Sequence, residues 1–148
     1  MITIDYWSGI WGRKYMKSLK FRRLVLVSDT IKSANQFVFQ KRFNLVTGKK
    51  NSTGRSSLLK SLFWTLGCEP EFDENWKALD CKALLEFSIE DIIYTVAWYN
   101  NTIVFGQYGR NFNKFLKITG DYSEVIATLV GFKAKLPNRT EEHGLETP

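Results

Sequence analysis

Residues 43–67, FNLVTGKKNSTGRSSLLKSLFWTLG, decide how this chain folds. The apolar run at 43–47 reads as a short, largely buried strand, and it leads directly into the polar, glycine-bearing stretch from Gly48 to Gly54. After Gly54 the apolar residues Leu58, Leu59, Leu62, Phe63 and Leu66 recur at helical spacing, and Gly67 stands where a helix C-cap belongs. The stretch is therefore strand, loop, helix. Upstream, residues 19–27 are rich in apolar and β-branched side chains and predict a strand stopped by Ser28 and Asp29, and residues 36–39 predict a second, weaker one. Downstream, residues 68–80 mix a proline, acids and aromatics, so they read as a connector that packs Phe72 and Trp76 onto the body. Three strands follow at 83–89, 92–98 and 102–108. The short junctions Glu90-Asp91 and Asn100-Asn101 are turn-prone, which makes the three an antiparallel meander. Residues 112–118 extend that sheet, and 123–130 form a helix capped by Asp121 or Ser123. The expected class is α/β, with one helix packed on a mainly antiparallel sheet.

A chain of 148 residues with 44% apolar and 24% charged content is the size and composition of one folded domain. Its boundaries are read as an N-terminal extension at 1–15, a folded unit at 16–136 that starts at Met16, and a polar, frayed tail at 137–148. No apolar run approaches the roughly 18–20 residues of a membrane span, and no signal-peptide layout opens the chain, so a soluble cytoplasmic protein is expected. Cys68 and Cys81 are too far apart for a CxxC pair, and the single His143 lies in the polar tail. Zinc enzymes and disulfide scaffolds are poor readings. The formal charge of +6 favours anionic partners: nucleotide, nucleic acid or acidic protein.

A strand, a loop and a helix opening on Gly-basic-Ser-Ser is how proteins cradle polyphosphate. Loop amides turn inward, and the helix start adds free N–H groups and a positive partial charge. The general P-loop pattern is G-x-x-x-x-G-K-[ST], whose Lys reaches the terminal phosphates and whose hydroxyl ligates Mg²⁺. Here GKKNSTGRSS, residues 48–57, departs from it twice: the first glycine is displaced by one position, and Arg55 holds the Lys place. No acidic residue lies between Gly48 and Leu66 to repel a phosphate.

These residues resemble the Walker A segment of the SMC-like branch of ABC ATPases, the group that includes chromosome-maintenance, break-repair and bacterial defence proteins. Asn51, Gly54, Ser56, Ser57, Leu58 and Leu59 fit that branch's N-x-x-G-K-S-S-L-L run, and KFRRLVLVSD upstream and LGCEPEFDENWK downstream look like the N-terminal lobes of defence-associated, SMC-like AAA proteins. The resemblance spans about residues 17–135 and is strongest at 44–67. It implies the N-terminal lobe of a P-loop NTPase. Asn51, Ser52, Thr53, Gly54, Arg55, Ser56 and Ser57 would bind ATP, with Arg55 in place of the phosphate-binding Lys and Ser56 as the Mg²⁺ ligand. Arg22 or Arg23 would add a contact from the first strand, although an exposed strand-edge arginine is the plainer reading of either. The family's Q-loop, signature and Walker B motifs lie far downstream and have no counterpart here. The resemblance therefore implies a fragment, a decayed copy or one piece of a split ATPase that does not hydrolyse ATP alone, with a companion chain or second ATPase head as partner. Arginine, larger and planar, replaces an ammonium, which also argues against efficient turnover.

Other clusters invite plainer readings. Glu69, Glu71, Asp73 and Glu74 suit a solvated connector better than a metal site. Trp98, Tyr99, Phe105, Tyr108, Phe112 and Phe115, interleaved with Arg110, Lys114 and Lys117, are expected mainly in core and cross-strand packing. They also support the rival function, a non-catalytic, basic, β-rich module that binds DNA or a partner protein.

Overall fold

The computed structural model describes residues 17–48 and 54–131, and within them one six-stranded antiparallel sheet carries three helices. In chain order the elements are β1 (Leu19–Ser28), β2 (Ser33–Val38), α1 (Arg55–Thr65), α2 (Glu74–Lys77), β3 (Cys81–Ile89), β4 (Ile92–Tyr99), β5 (Thr102–Gln107), β6 (Phe112–Phe115) and α3 (Asp121–Val130). The sheet order is β2-β1-β3-β4-β5-β6. Each neighbouring pair of strands is antiparallel, and in the β3-β4-β5 meander the short junctions imply it. Both tight turns of the meander place two successive residues at positive φ, Glu90 and Asp91 at 49° and 66° and Asn100 and Asn101 at 45° and 58°. Asp and Asn tolerate that region, Glu90 is held in it by the turn, and its twist matches the strands it joins.

Register decides which face is buried. Leu24 lies opposite Leu85, Leu85 opposite Val96, and Val96 opposite Phe105, so one face of the sheet collects the large apolar side chains. Leu24, Leu85, Phe87 and Val96 are fully buried there, and Leu62 of α1 and Tyr122 of α3 join the same cluster. Each such side chain contributes roughly 1.5–3 kcal/mol by leaving water. α1 approaches closely because two of its inward residues are small. Ser61 and Thr65 are fully buried, and their hydroxyls donate to the carbonyls of Ser57 (2.7 Å) and Ser61 (2.6 Å), which leaves neither polar group unpaired. The helix stripe is narrower than its apolar pattern suggests. Leu58, Leu62 and Leu66 face the core, whereas Leu59 and Phe63 are about half exposed.

The connector is fastened as expected. Asp73 caps α2 by accepting from the Trp76 amide at 2.9 Å, and Trp76 stacks on Phe72 with ring centroids 3.5 Å apart. Trp64 sits edge-on to Trp76 at 5.2 Å and tilted against Trp98 at 5.3 Å.

Several sequence expectations need correction. β2 covers Ser33–Val38 rather than 36–39, β6 ends at Phe115, and α3 begins at Asp121 behind Gly120, with no side-chain cap from Asp121 or Ser123. The Ser123 hydroxyl instead donates back to the Gly120 carbonyl at 2.8 Å. The largest correction is the strand at 43–47, which does not form; Phe43 and Leu45 are 88% exposed. A strand needs a ladder neighbour, and none of the described strands pairs with this segment. Asn44 closes a local turn instead, accepting from the Gln40 amide at 2.7 Å and donating to the Gln40 carbonyl at 3.0 Å. The extension at 1–15, residues 132–136 at the end of the folded unit, and the tail at 137–148 lie outside the described residues.

Candidate anion site at the start of α1

Gly54 is the N-cap of α1, at φ 75° and ψ 11°, in the left-handed region that glycine enters without cost. Its carbonyl accepts from the Leu58 amide at 2.9 Å, so the first helical bond is formed and the N–H groups before Leu58 have no partner within the helix. Among the described residues no side chain caps them, and the first turn carries no acid. Helices usually satisfy these donors with a Ser, Thr, Asp or Asn side chain and favour acids in the first turn. Here Arg55 and Ser56 are exposed and Ser57 is half-buried, so the turn presents a guanidinium, two hydroxyls and free amides. Lys60, one turn on, is engaged elsewhere and donates to the Glu71 carbonyl. Such a start fits an anion with several oxygens, such as a polyphosphate, with Arg55 as its counter-charge and the Ser56 hydroxyl as a hard oxygen for Mg²⁺.

Of the residues assigned from sequence, Gly54, Arg55, Ser56 and Ser57 are brought together in this first turn. Asn51, Ser52 and Thr53 lie outside the described residues. Arg22 and Arg23 line one groove beside the end of β2. A register shift between Phe21 and Arg23 leaves Arg22 unmatched with β3. Arg23 is committed to Glu86, from Nε to Oε2 at 3.1 Å and from Nη2 to Oε1 at 2.6 Å, which raises the guanidinium's pKa further.

The connector acids take structural roles: Asp73 caps α2, and Glu74 pairs with Lys77 at 2.7 Å. Among the described residues no group of His, Cys, Asp and Glu is arranged to hold a metal. The aromatic series divides. Phe105 is buried, Trp98 donates its indole N–H to the Thr65 carbonyl at 3.0 Å, and Phe115 packs against Tyr122 at 5.5 Å. Tyr99, Tyr108 and Phe112 are exposed. Both cysteines are free thiols, and burial pushes that of Cys81 up. No helix among the described residues is long and apolar enough to cross a membrane.

Sequence reasoning missed what holds the far end of α1. Gly67, at φ 98°, lets the chain pass so close to Tyr122 that a Cβ there would lie 2.7 Å from the ring. Tyr122 in turn donates to the Leu66 carbonyl at 3.2 Å. The spacing marks Gly67 as a cap, but a contact 56 residues away leaves no local signal.

The class so defined is an α/β unit in which an antiparallel sheet supports a helix with a glycine-led, uncapped start. No family profile matches the chain. It is similar to Lamassu protein LmuB of Bacillus cereus, 25% identical over 133 residues, which cover 90% of this chain and 23% of that protein. It is also similar to Lamassu protein LmuB of a Bacillus species, 29% identical over 113 residues, covering 76% of this chain and 19% of that protein. The chain thus spans about a fifth of the length of the curated relatives it matches.

Proposed function

We propose that this chain is the nucleotide-binding N-terminal part of a phage-defence ATPase of the SMC-like kind, and that it holds Mg-ATP at the start of α1. The observation that carries this reading is the first turn of α1, glycine-led, uncapped and free of acids. The distant similarity to LmuB over most of the chain supports the defence assignment. The amides of Arg55, Ser56 and Ser57 would hold phosphate oxygens, Arg55 would supply the positive charge, and Ser56 would ligate Mg²⁺, with the amides of Asn51, Ser52 and Thr53 completing the cradle. Bound Mg²⁺ would neutralise charge on the phosphates and orient them. The chain's own residues bind and orient; none of those assigned to the site is a general base. Hydrolysis then requires groups other than those assigned to this site.

A fluorescent ATP analogue tests this. It is expected to bind in Mg²⁺, to be displaced by unlabelled ATP and to be released by EDTA, with no phosphate released by the chain alone. Binding that is indifferent to both ATP and EDTA would overturn the assignment.

A further inference from the structure

The two outer strands of the sheet are not equivalent. β6 is four residues long and carries Lys114, so it is short and charged, as sheet edges commonly are. β2 runs for six residues, Ser33–Val38, as SANQFV, with no charge, no proline and no bulge. Among the described residues nothing pairs with its outer side. The Phe39 amide donates inward to the Arg22 carbonyl at 2.9 Å, so by strand alternation the N–H and C=O groups of Ala34, Gln36 and Val38 turn outward. Val38 is 65% exposed, and the exposed Phe43 and Leu45 follow it in the chain.

Charge surrounds this edge. Lys32 precedes β2, and Lys41 and Arg42 follow it. At the end of the strand a groove of about 500 Å³ is lined by Lys20, Arg22 and Lys41. These three make no ion pair among the described residues, whereas Arg23 beside them is neutralised by Glu86. Asp91 is the one further acid on the groove wall. A second copy of this chain is a poor occupant: antiparallel pairing of two β2 strands about a two-fold axis sets Lys32 of each against Lys41 and Arg42 of the other, in a chain already at +6.

We infer that the outer edge of β2 accepts an extended acidic segment of a partner protein by strand addition. The backbone ladder would provide the pairing, and Lys20, Arg22, Lys41 and Arg42 would select for acids at the segment's end. This surface is independent of the start of α1 and stands whether or not nucleotide binds there.

The probe is a fluorescein-labelled peptide, Glu-Glu-Val-Thr-Val-Thr-Val-Glu-Glu, followed by anisotropy against the full 148-residue chain. Its counterparts are the same peptide with Lys for Glu and a version N-methylated at alternate amides. The acidic peptide is expected to bind, and the lysine and N-methylated peptides to bind at least about tenfold more weakly. Gln36→Pro, which removes one outward N–H and leaves the ladder to β1 intact, is expected to cause a similar loss with an unchanged circular dichroism spectrum. The double variant Lys41→Glu, Arg42→Glu is expected to weaken binding in low salt. Equal binding of the N-methylated or lysine peptide, or failure of the acidic peptide to bind, would overturn the proposal. So would displacement of the peptide by oligo-dT at lower concentration, or a dimer in sedimentation that Gln36→Pro dissociates.

Discussion

The two ends of α1 follow opposite rules. At its C-terminal end every group is engaged. Thr65 accepts the Trp98 indole N–H on its carbonyl, the Leu66 carbonyl accepts from Tyr122, the Cys68 amide bonds back to the Phe63 carbonyl, and Gly67 makes room for the Tyr122 ring. At its start, eleven residues away, no described side chain caps the helix, no acid lies in the first turn, and a Cβ on Gly54 would meet none of the described residues within 4 Å. A helix fixed at one end holds the other in place without occupying it. Open amides on a rigid mount suit a site that must meet a ligand at defined positions.

Substitutions along α1 sharpen or break that contrast. Leu62→Ala, at a side chain 3% exposed, is expected to cost roughly 2–5 kcal/mol in denaturant unfolding, the largest effect in the helix. Gly67→Ala drives a methyl into a buried ring and holds alanine at positive φ, for roughly 2–3 kcal/mol. A cost near zero would mean that the C-terminal end is not anchored as described. Tyr122→Phe loses the bond to Leu66, for about 1 kcal/mol, and adds a pH signature. Burial raises the Tyr122 hydroxyl well above its ordinary value of 10. In the unfolded chain the phenol ionises near that value, while in the folded protein it keeps its proton. The stabilisation is thus whole below pH 10 and is lost as pH rises toward the raised folded value. Thermal midpoints measured on either side of pH 10 should fall less steeply in Tyr122→Phe than in the wild type. At the other end, Gly54→Ala is expected to cost only about 1 kcal/mol, from backbone conformation alone. Ser56→Ala should leave stability within about 0.5 kcal/mol of the wild type.

Much of this architecture is legible in the residues. The alternation at Leu85, Phe87 and Ile89, and the two-residue junctions Glu90-Asp91 and Asn100-Asn101, are local signals, and local signals specify meanders. The spacing of Leu58, Leu62 and Leu66 and the glycines at 54 and 67 bound α1 to within a residue. What sequence could not supply is pairing. Residues 43–47 have strand composition and, among the described residues, no strand beside them, so composition alone misreads them. The outward-facing Leu59 and Phe63 fit the same helical stripe as Leu62, and only the position of the sheet separates them. The candidate site was legible as a motif at Gly54, Arg55, Ser56 and Ser57. That no described side chain caps it emerges only from geometry.

Calorimetric titration of Mg-ATP into the wild-type, Arg55→Lys and Ser56→Ala proteins decides whether the start of α1 is a nucleotide site. A nucleotide site at the start of α1 predicts binding in the wild type, tighter binding in Arg55→Lys and none in Ser56→Ala, with all three equally folded. Absence of heat from all three folded proteins, or equal heats from the wild type and Ser56→Ala, would contradict it.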